Sequence, residues 1–257
     1  MKNRIYFFTG TGNSLHLAEK IGERVGDCDL VSIRANTDLS IPKDLDRLGF
    51  VFPVYFWGLP AIVSKFLTKA RFPAQGQTYV FVVPTFGGII GNSVPQAKRL
   101  LSQQGISLNY GAGLKMFKNA VTFYEMSDDV QEITRKTDEK AVPLIEAIAE
   151  KKENETGKGF KFVDKLHGKN VPLFAEKAKS FNVSDDCLSC GICANICPVQ
   201  NIDMSEGKPT FGDKCESCLA CLQHCPKRAI NDGDKTQKRR RYTHPDVGYS
   251  EIMKYAR

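Results

Sequence analysis

Eight of the nine cysteines of this 257-residue chain fall between Cys187 and Cys225. The first set runs Cys187-x-x-Cys190-x-x-Cys193-x-x-x-Cys197-Pro198, and the second runs Cys215-x-x-Cys218-x-x-Cys221-x-x-x-Cys225-Pro226. Three closely spaced cysteines followed by a fourth before proline, twice over, leave little room for a core of apolar side chains. A segment this small depends on bonds from sulfur for part of its stability. In a cytosolic chain those bonds are to metal rather than to another sulfur. A zinc ribbon uses two C-x2-C knuckles separated by a long gap, which is a different pattern.

The spacing matches iron–sulfur ligation, in which three cysteines wrap one cubane and the fourth reaches the neighbouring one. One [4Fe-4S] cluster is then expected at Cys187, Cys190, Cys193 and Cys225, and a second at Cys215, Cys218, Cys221 and Cys197. Gly191 is expected to let the backbone pass close to inorganic sulfide. This segment resembles the bacterial two-cluster ferredoxin module along its whole length.

The first 150 residues have a different grammar. Apolar runs at 4–8, 28–33, 48–56, 78–86 and 107–117 alternate with helical patterns. After Asn13, Leu15, Ala18, Ile21 and Val25 recur about one turn apart. After Leu59-Pro60, Ile62, Val63, Phe66, Leu67 and Ala70 form an apolar stripe. Ser127-Asp128 opens a last long helix with Pro143 as its bend. Continuous apolar strands between helices predict an α/β fold with a parallel sheet covered on both faces. Five strands predict the flavodoxin-like order 2-1-3-4-5. The expected division is a sheet domain over 1–152, a lysine-rich connector over 153–182, a small α+β cluster module over 183–233 and a basic tail over 234–257.

Between the first strand and first helix lies Thr9-Gly10-Thr11-Gly12-Asn13-Ser14. The lysine of a P-loop is missing, and so is the third glycine of a dinucleotide fingerprint. Hydroxyls and backbone N–H groups at a helix start can solvate a terminal phosphate without a cation. The loop resembles the phosphate loop of flavodoxins. With the cysteine module behind it, the chain resembles the fused flavodoxin–ferredoxin proteins of anaerobes. That resemblance implies FMN rather than FAD. It places the flavin ring against the loops after strands three and four, at Tyr55, Phe56, Trp57 and Gly58, and at Thr85, Phe86, Gly87, Gly88 and Asn92.

The expected function is electron transfer between a low-potential carrier, two [4Fe-4S] clusters and FMN, as a carrier or reductase component. A redox partner protein, a ferredoxin or a reductase or dehydrogenase, is implied. The alternatives are a stand-alone FMN-dependent reductase of a small organic acceptor and an iron–sulfur redox sensor. No catalytic triad, HExxH or carboxylate pair stands out, so no catalytic residue is assigned. The net charge of +7 suggests an acidic partner. The run Lys238-Arg239-Arg240-Arg241-Tyr242 reads as a solvated face or an acidic-partner strip rather than a nucleic-acid site. Cys28 reads as a buried small hydrophobe, and His16 and His224 as surface histidines. No apolar run is long enough to span a bilayer and no leader is recognisable, so the expected compartment is the cytoplasm.

Overall fold

The computed structural model describes residues 2–256. Its first half builds β1 (Lys2–Phe7), α1 (Asn13–Val25), β2 (Cys28–Ser32), β3 (Leu45–Pro53), α2 (Ala61–Lys69), β4 (Tyr79–Phe86) and α3 (Ser93–Gln103). The run 107–117 forms two short strands instead of one, β5 (Tyr110–Gly111) and β6 (Leu114–Lys115), both parallel to β4. Gly113 sits at the break, where a Cβ would lie 2.3 Å from the Ile90 side chain. The sheet order is β2-β1-β3-β4-β5, all parallel, as the sequence predicts.

Alternation along each strand explains the unbroken apolar runs. Ile5 and Phe7 of β1, Val51 of β3 and Phe81 and Val83 of β4 join one core, beneath α1 and α4 (Val130–Ala149). Tyr6, Phe8, Phe50, Phe52, Val80 and Val82 join the other, beneath α2 and α3. Both faces are buried, so no polar alternation survives.

The connector is strapped down rather than loose. Within it α5 (Lys161–Asn170) presents Asp164 to Asn92 and Gln96, both at 2.9 Å, and to Arg99 at 3.1 Å. The His167 ring lies 2.9 Å from the Leu59 carbonyl. Two 3-10 turns, Val171–Phe174 and Lys177–Ser180, then lead into the module.

The module is small: β7 (Phe181–Val183) pairs antiparallel with β10 (Ile230–Asp232), and β8 (Ile202–Asp203) with β9 (Thr210–Phe211). Two short helices, α6 (Ile192–Ile196) and α7 (Ala220–Gln223), complete it. It shares a core with the sheet domain, where Phe117, Val121 and Met126 meet Leu219, Leu222, Ile230 and Tyr242. Phe117 and Tyr242 stack at 4.4 Å. The tail returns to the sheet domain, and its α8 (Tyr249–Lys254) adds Ile252 to the core around α1.

The basic run is therefore not a free strip. Arg239 donates to the Val121 carbonyl at 2.7 Å, Arg240 pairs with Asp128, and Arg241 donates to the Ile230 carbonyl and Asn231. These arginines staple the tail to both domains because their forked donors match carbonyls left over at loop ends.

Candidate functional site

The duplication in the cysteine sequence is repeated in the backbone. Left-handed residues fall at the same three offsets in each copy: Ser189, Gly191 and Gln200 in one, Ser217, Leu219 and Arg228 in the other. These turns recur at matching places around the cysteines of each copy. Gly191 thus serves a positive φ of 73°, which Leu219 adopts at 59° in the second copy. A non-glycine there costs on the order of 1 kcal/mol, which the surrounding module tolerates.

One cavity is lined by Cys187, Cys190, Cys193 and Cys225. A second is lined by Cys197, Cys215, Cys218 and Cys221. The fourth cysteine of each motif thus crosses to the other group. Among the described residues no three cysteine sulfurs lie within 4.8 Å of one another. A single zinc ion holds its sulfurs at about 2.3 Å, and so within about 4.6 Å of each other. The cysteines surround a space instead of converging on a point, which fits a cubane. The N–H groups of Asn201, Ser217 and Ala229 reach the sulfurs of Cys197, Cys215 and Cys225, each at 3.3 Å. Such bonds favour a thiolate, whereas burial pushes the Cys218 and Cys221 thiols far above their ordinary range. Iron must therefore displace protons to bind there.

The two groups differ in access. Cys190 is exposed, and Leu188 beside it is 61% exposed. The second group is turned inward, onto the loop between β1 and α1.

All six residues of that loop are buried. Gly12 takes a φ of 101° and starts α1, which has no side-chain cap, so no side chain takes up its first-turn N–H groups. The Thr9 hydroxyl accepts from the Gly12 N–H at 3.0 Å, and the Thr11 hydroxyl accepts from Asn119 at 2.5 Å. Each hydroxyl keeps its own proton to donate. Ser14 is paired with Thr85 at 2.9 Å, and Asn13 is held by Tyr242 at 2.6 Å while donating to the Phe117 carbonyl. Uncapped helix start, two free hydroxyl protons and no cation form a donor set that fits a phosphate.

The module sits directly on this loop. A Cβ on Gly10 would lie 2.2 Å from the Cys218 carbonyl oxygen. The His224 ring contacts the Gly10 carbonyl at 3.2 Å, and the His244 N–H donates to the Thr11 carbonyl at 2.8 Å. Burial pushes the His224 imidazole down to about 4. His16 is buried too, bonded to Asp138 at 2.8 Å and stacked on His244 at 4.0 Å. Neither histidine is the surface group that the sequence suggested.

The loops assigned to the flavin ring meet each other. The Asn92 N–H donates to the Trp57 carbonyl at 2.8 Å, and a Cβ on Gly91 would strike the Trp57 backbone. Tyr55 is turned inward beside Phe8 and Phe174, whereas Phe56 and Trp57, both with positive φ, are 37% exposed. Gly58 packs on His167 and Gln96, and the Asn92 side chain is engaged by α5. Phe86 and Gly87 are partly covered, with Gly87 against Lys118, and Gly88 is open. Cys28 is half-buried, with burial raising its thiol to about 11.

Sequence reasoning missed Asn119, Tyr242, His244 and Arg34. Arg34 donates to the carbonyls of Asn195 and Cys197, both at 2.9 Å, tying the end of β2 to the module. Nothing in local patterning marks these residues, because each acts on a segment more than a hundred residues away. Among the described residues no helix is long and apolar enough to cross a membrane.

Residues 186–230 match the model of the 4Fe-4S dicluster domain. No curated protein matches the chain. Among solved structures, a putative flavoprotein from Bacteroides eggerthii is 21% identical, covering 44% of this chain and 87% of its own, with a TM-score of 0.36. A flavodoxin from Streptococcus pneumonia is 16% identical over 59% of this chain and 97% of its own, with a TM-score of 0.39. The Megasphaera elsdenii flavodoxin is 19% identical over 43% of this chain and 83% of its own, with a TM-score of 0.35. On its own strand order and the matched segment, the chain joins a flavodoxin-like α/β domain to a 4Fe-4S dicluster domain.

Proposed function

We propose that this chain is an electron-transfer flavo-iron–sulfur protein, a carrier or reductase component holding two [4Fe-4S] clusters and FMN. When bound, each cluster exchanges one electron at a time and FMN exchanges one or two. The observation that carries the reading is the contact between Gly10 of the phosphate loop and the Cys218 backbone of the second cysteine group. A phosphate loop and a cluster ligand in van der Waals contact bring the two kinds of redox centre into one fold. Thr9, Thr11 and the first turn of α1 would hold the phosphate. Leu188 and Cys190 form the exposed approach to the first cysteine group, where a redox partner protein would dock.

The test is analytical. Anaerobically purified protein should hold about eight irons and eight sulfides per chain, and its extracted flavin should be FMN. Stoichiometric zinc would end the cluster reading. Thr11→Val removes one donor to a dianion, worth about 1.5–3 kcal/mol, and should weaken FMN about 10- to 150-fold in a fluorescence titration. Unchanged affinity would move the phosphate off this loop.

A further inference from the structure

A cavity of about 580 Å3 opens between α2, the end of β2, the turn at 171–174 and the second cysteine group. Its volume lies within the range of small-molecule sites, which favour domain junctions. One wall is Cys215, a ligand expected for the second cluster. Phe174 gives it partly exposed aromatic surface and also touches Tyr55 and Phe56, while Phe66 shows it only an edge of the core. Its rim carries Lys65, Lys69 and Lys214. None of the three has a carboxylate within 4.0 Å among the described residues. The single acid inside, Glu216, is held by the Ile62 N–H at the start of α2, at 3.1 Å. Arg34 adds a further cation, although its guanidinium is committed to carbonyls. The cavity is thus positive at its mouth, apolar and aromatic within, and closed at one side by a cluster cysteine.

We infer that this cavity binds a planar organic anion, its ring against Phe174 and its negative group at the lysine rim, in contact with the surroundings of the second cluster. The inference rests on the cluster reading and is independent of FMN. Three unpaired lysines around a cavity of this volume with Phe174 in its wall suit a small anion better than a protein surface, which would cover them from outside and leave the interior empty.

Naphthalene-2-sulfonate, a planar anion without redox chemistry, is the probe, and its uncharged sulfonamide is the control. Titrated calorimetrically into the full-length holoprotein at low salt, the sulfonate should bind saturably at one site. Lys65→Gln with Lys214→Gln should weaken it about 10-fold, from a few-fold per exposed charge. Phe174→Ala should weaken sulfonate and sulfonamide alike. In the reduced protein the sulfonate should shift the EPR signal that Cys197→Ser abolishes, and leave the other signal unmoved. Absence of saturable binding, equal affinity in the double lysine variant, or a shift confined to the other signal would overturn the inference. So would lysine variants that weaken only the complex with an acidic redox protein, since that assigns the rim to protein docking. Iron content and two cluster signals, checked first, separate failure of this site from failure of the cluster reading.

Discussion

Gly10 marks a close contact between the β1–α1 loop and the cysteine module. With a Cβ 2.2 Å from a backbone oxygen, Gly10→Ala must push the module off its seat. Overpacking of this kind costs about 1–3 kcal/mol. The expected result is a lower melting temperature and faster proteolysis at the connector. Gly88→Ala, with open space around the added carbon, should leave both unchanged. His244 makes a second residue-scale prediction. Burial, and then the neighbouring His16, push its imidazole down to about 3. The unfolded chain therefore binds a proton that the folded chain refuses. Stability is full above about pH 6.5 and falls as pH drops toward 3, by up to about 1.4 kcal/mol per pH unit. Asp138, bonded to His16, opposes the effect without cancelling it. Urea unfolding at pH 7 and pH 5 should show the loss, and His244→Gln should reduce it. His224 and His167, whose imidazoles burial also pushes down, contribute to the remainder.

Elements here are held by their ends. α6 has only five residues, too short to stand alone, and its last carbonyls are taken by Arg34 from the other domain. Arg34→Ala leaves those carbonyls without their charged partner and loosens the segment that carries Cys197. The expected outcome is faster loss of the second cluster to a chelator, while the first is lost at its normal rate. Equal loss of both would show that Arg34 does not position Cys197. The periodicity of α1 through α4 and the five apolar runs were legible in the sequence, because burial on both sheet faces writes itself into every strand. The broken fifth strand was not, since Gly113 alone does not say where the chain bends. The docking of α5 was also hidden: a polar, lysine-rich stretch reads as a linker until Asp164 meets Asn92, Gln96 and Arg99.

At the scale of the whole molecule the two domains form one unit. The tail passes over the loop after Gly12, and α8 ends in the core around α1. The cysteine groups are interlocked in the same way. Cys197→Ser should remove the cluster shared with Cys215, Cys218 and Cys221 although it lies in the first motif, leaving about four irons per chain. Retention of that cluster with loss of the other would refute the crossed arrangement.

Spacing alone grouped the cysteines as the two cavities group them, because a cubane with three adjacent corners on one loop calls for C-x2-C-x2-C and a fourth sulfur from elsewhere. Composition and periodicity likewise determined a parallel sheet with two covered faces. The sequence also marked Thr9 to Ser14 as an anion loop, from its hydroxyls and the missing lysine. Only the tertiary structure decided what lies on that loop. The seating of Cys218 on Gly10, of His244 on Thr11 and of Tyr242 on Asn13 joins residues more than two hundred positions apart. No local pattern records such pairs, since contacts between distant segments depend on how two finished surfaces fit.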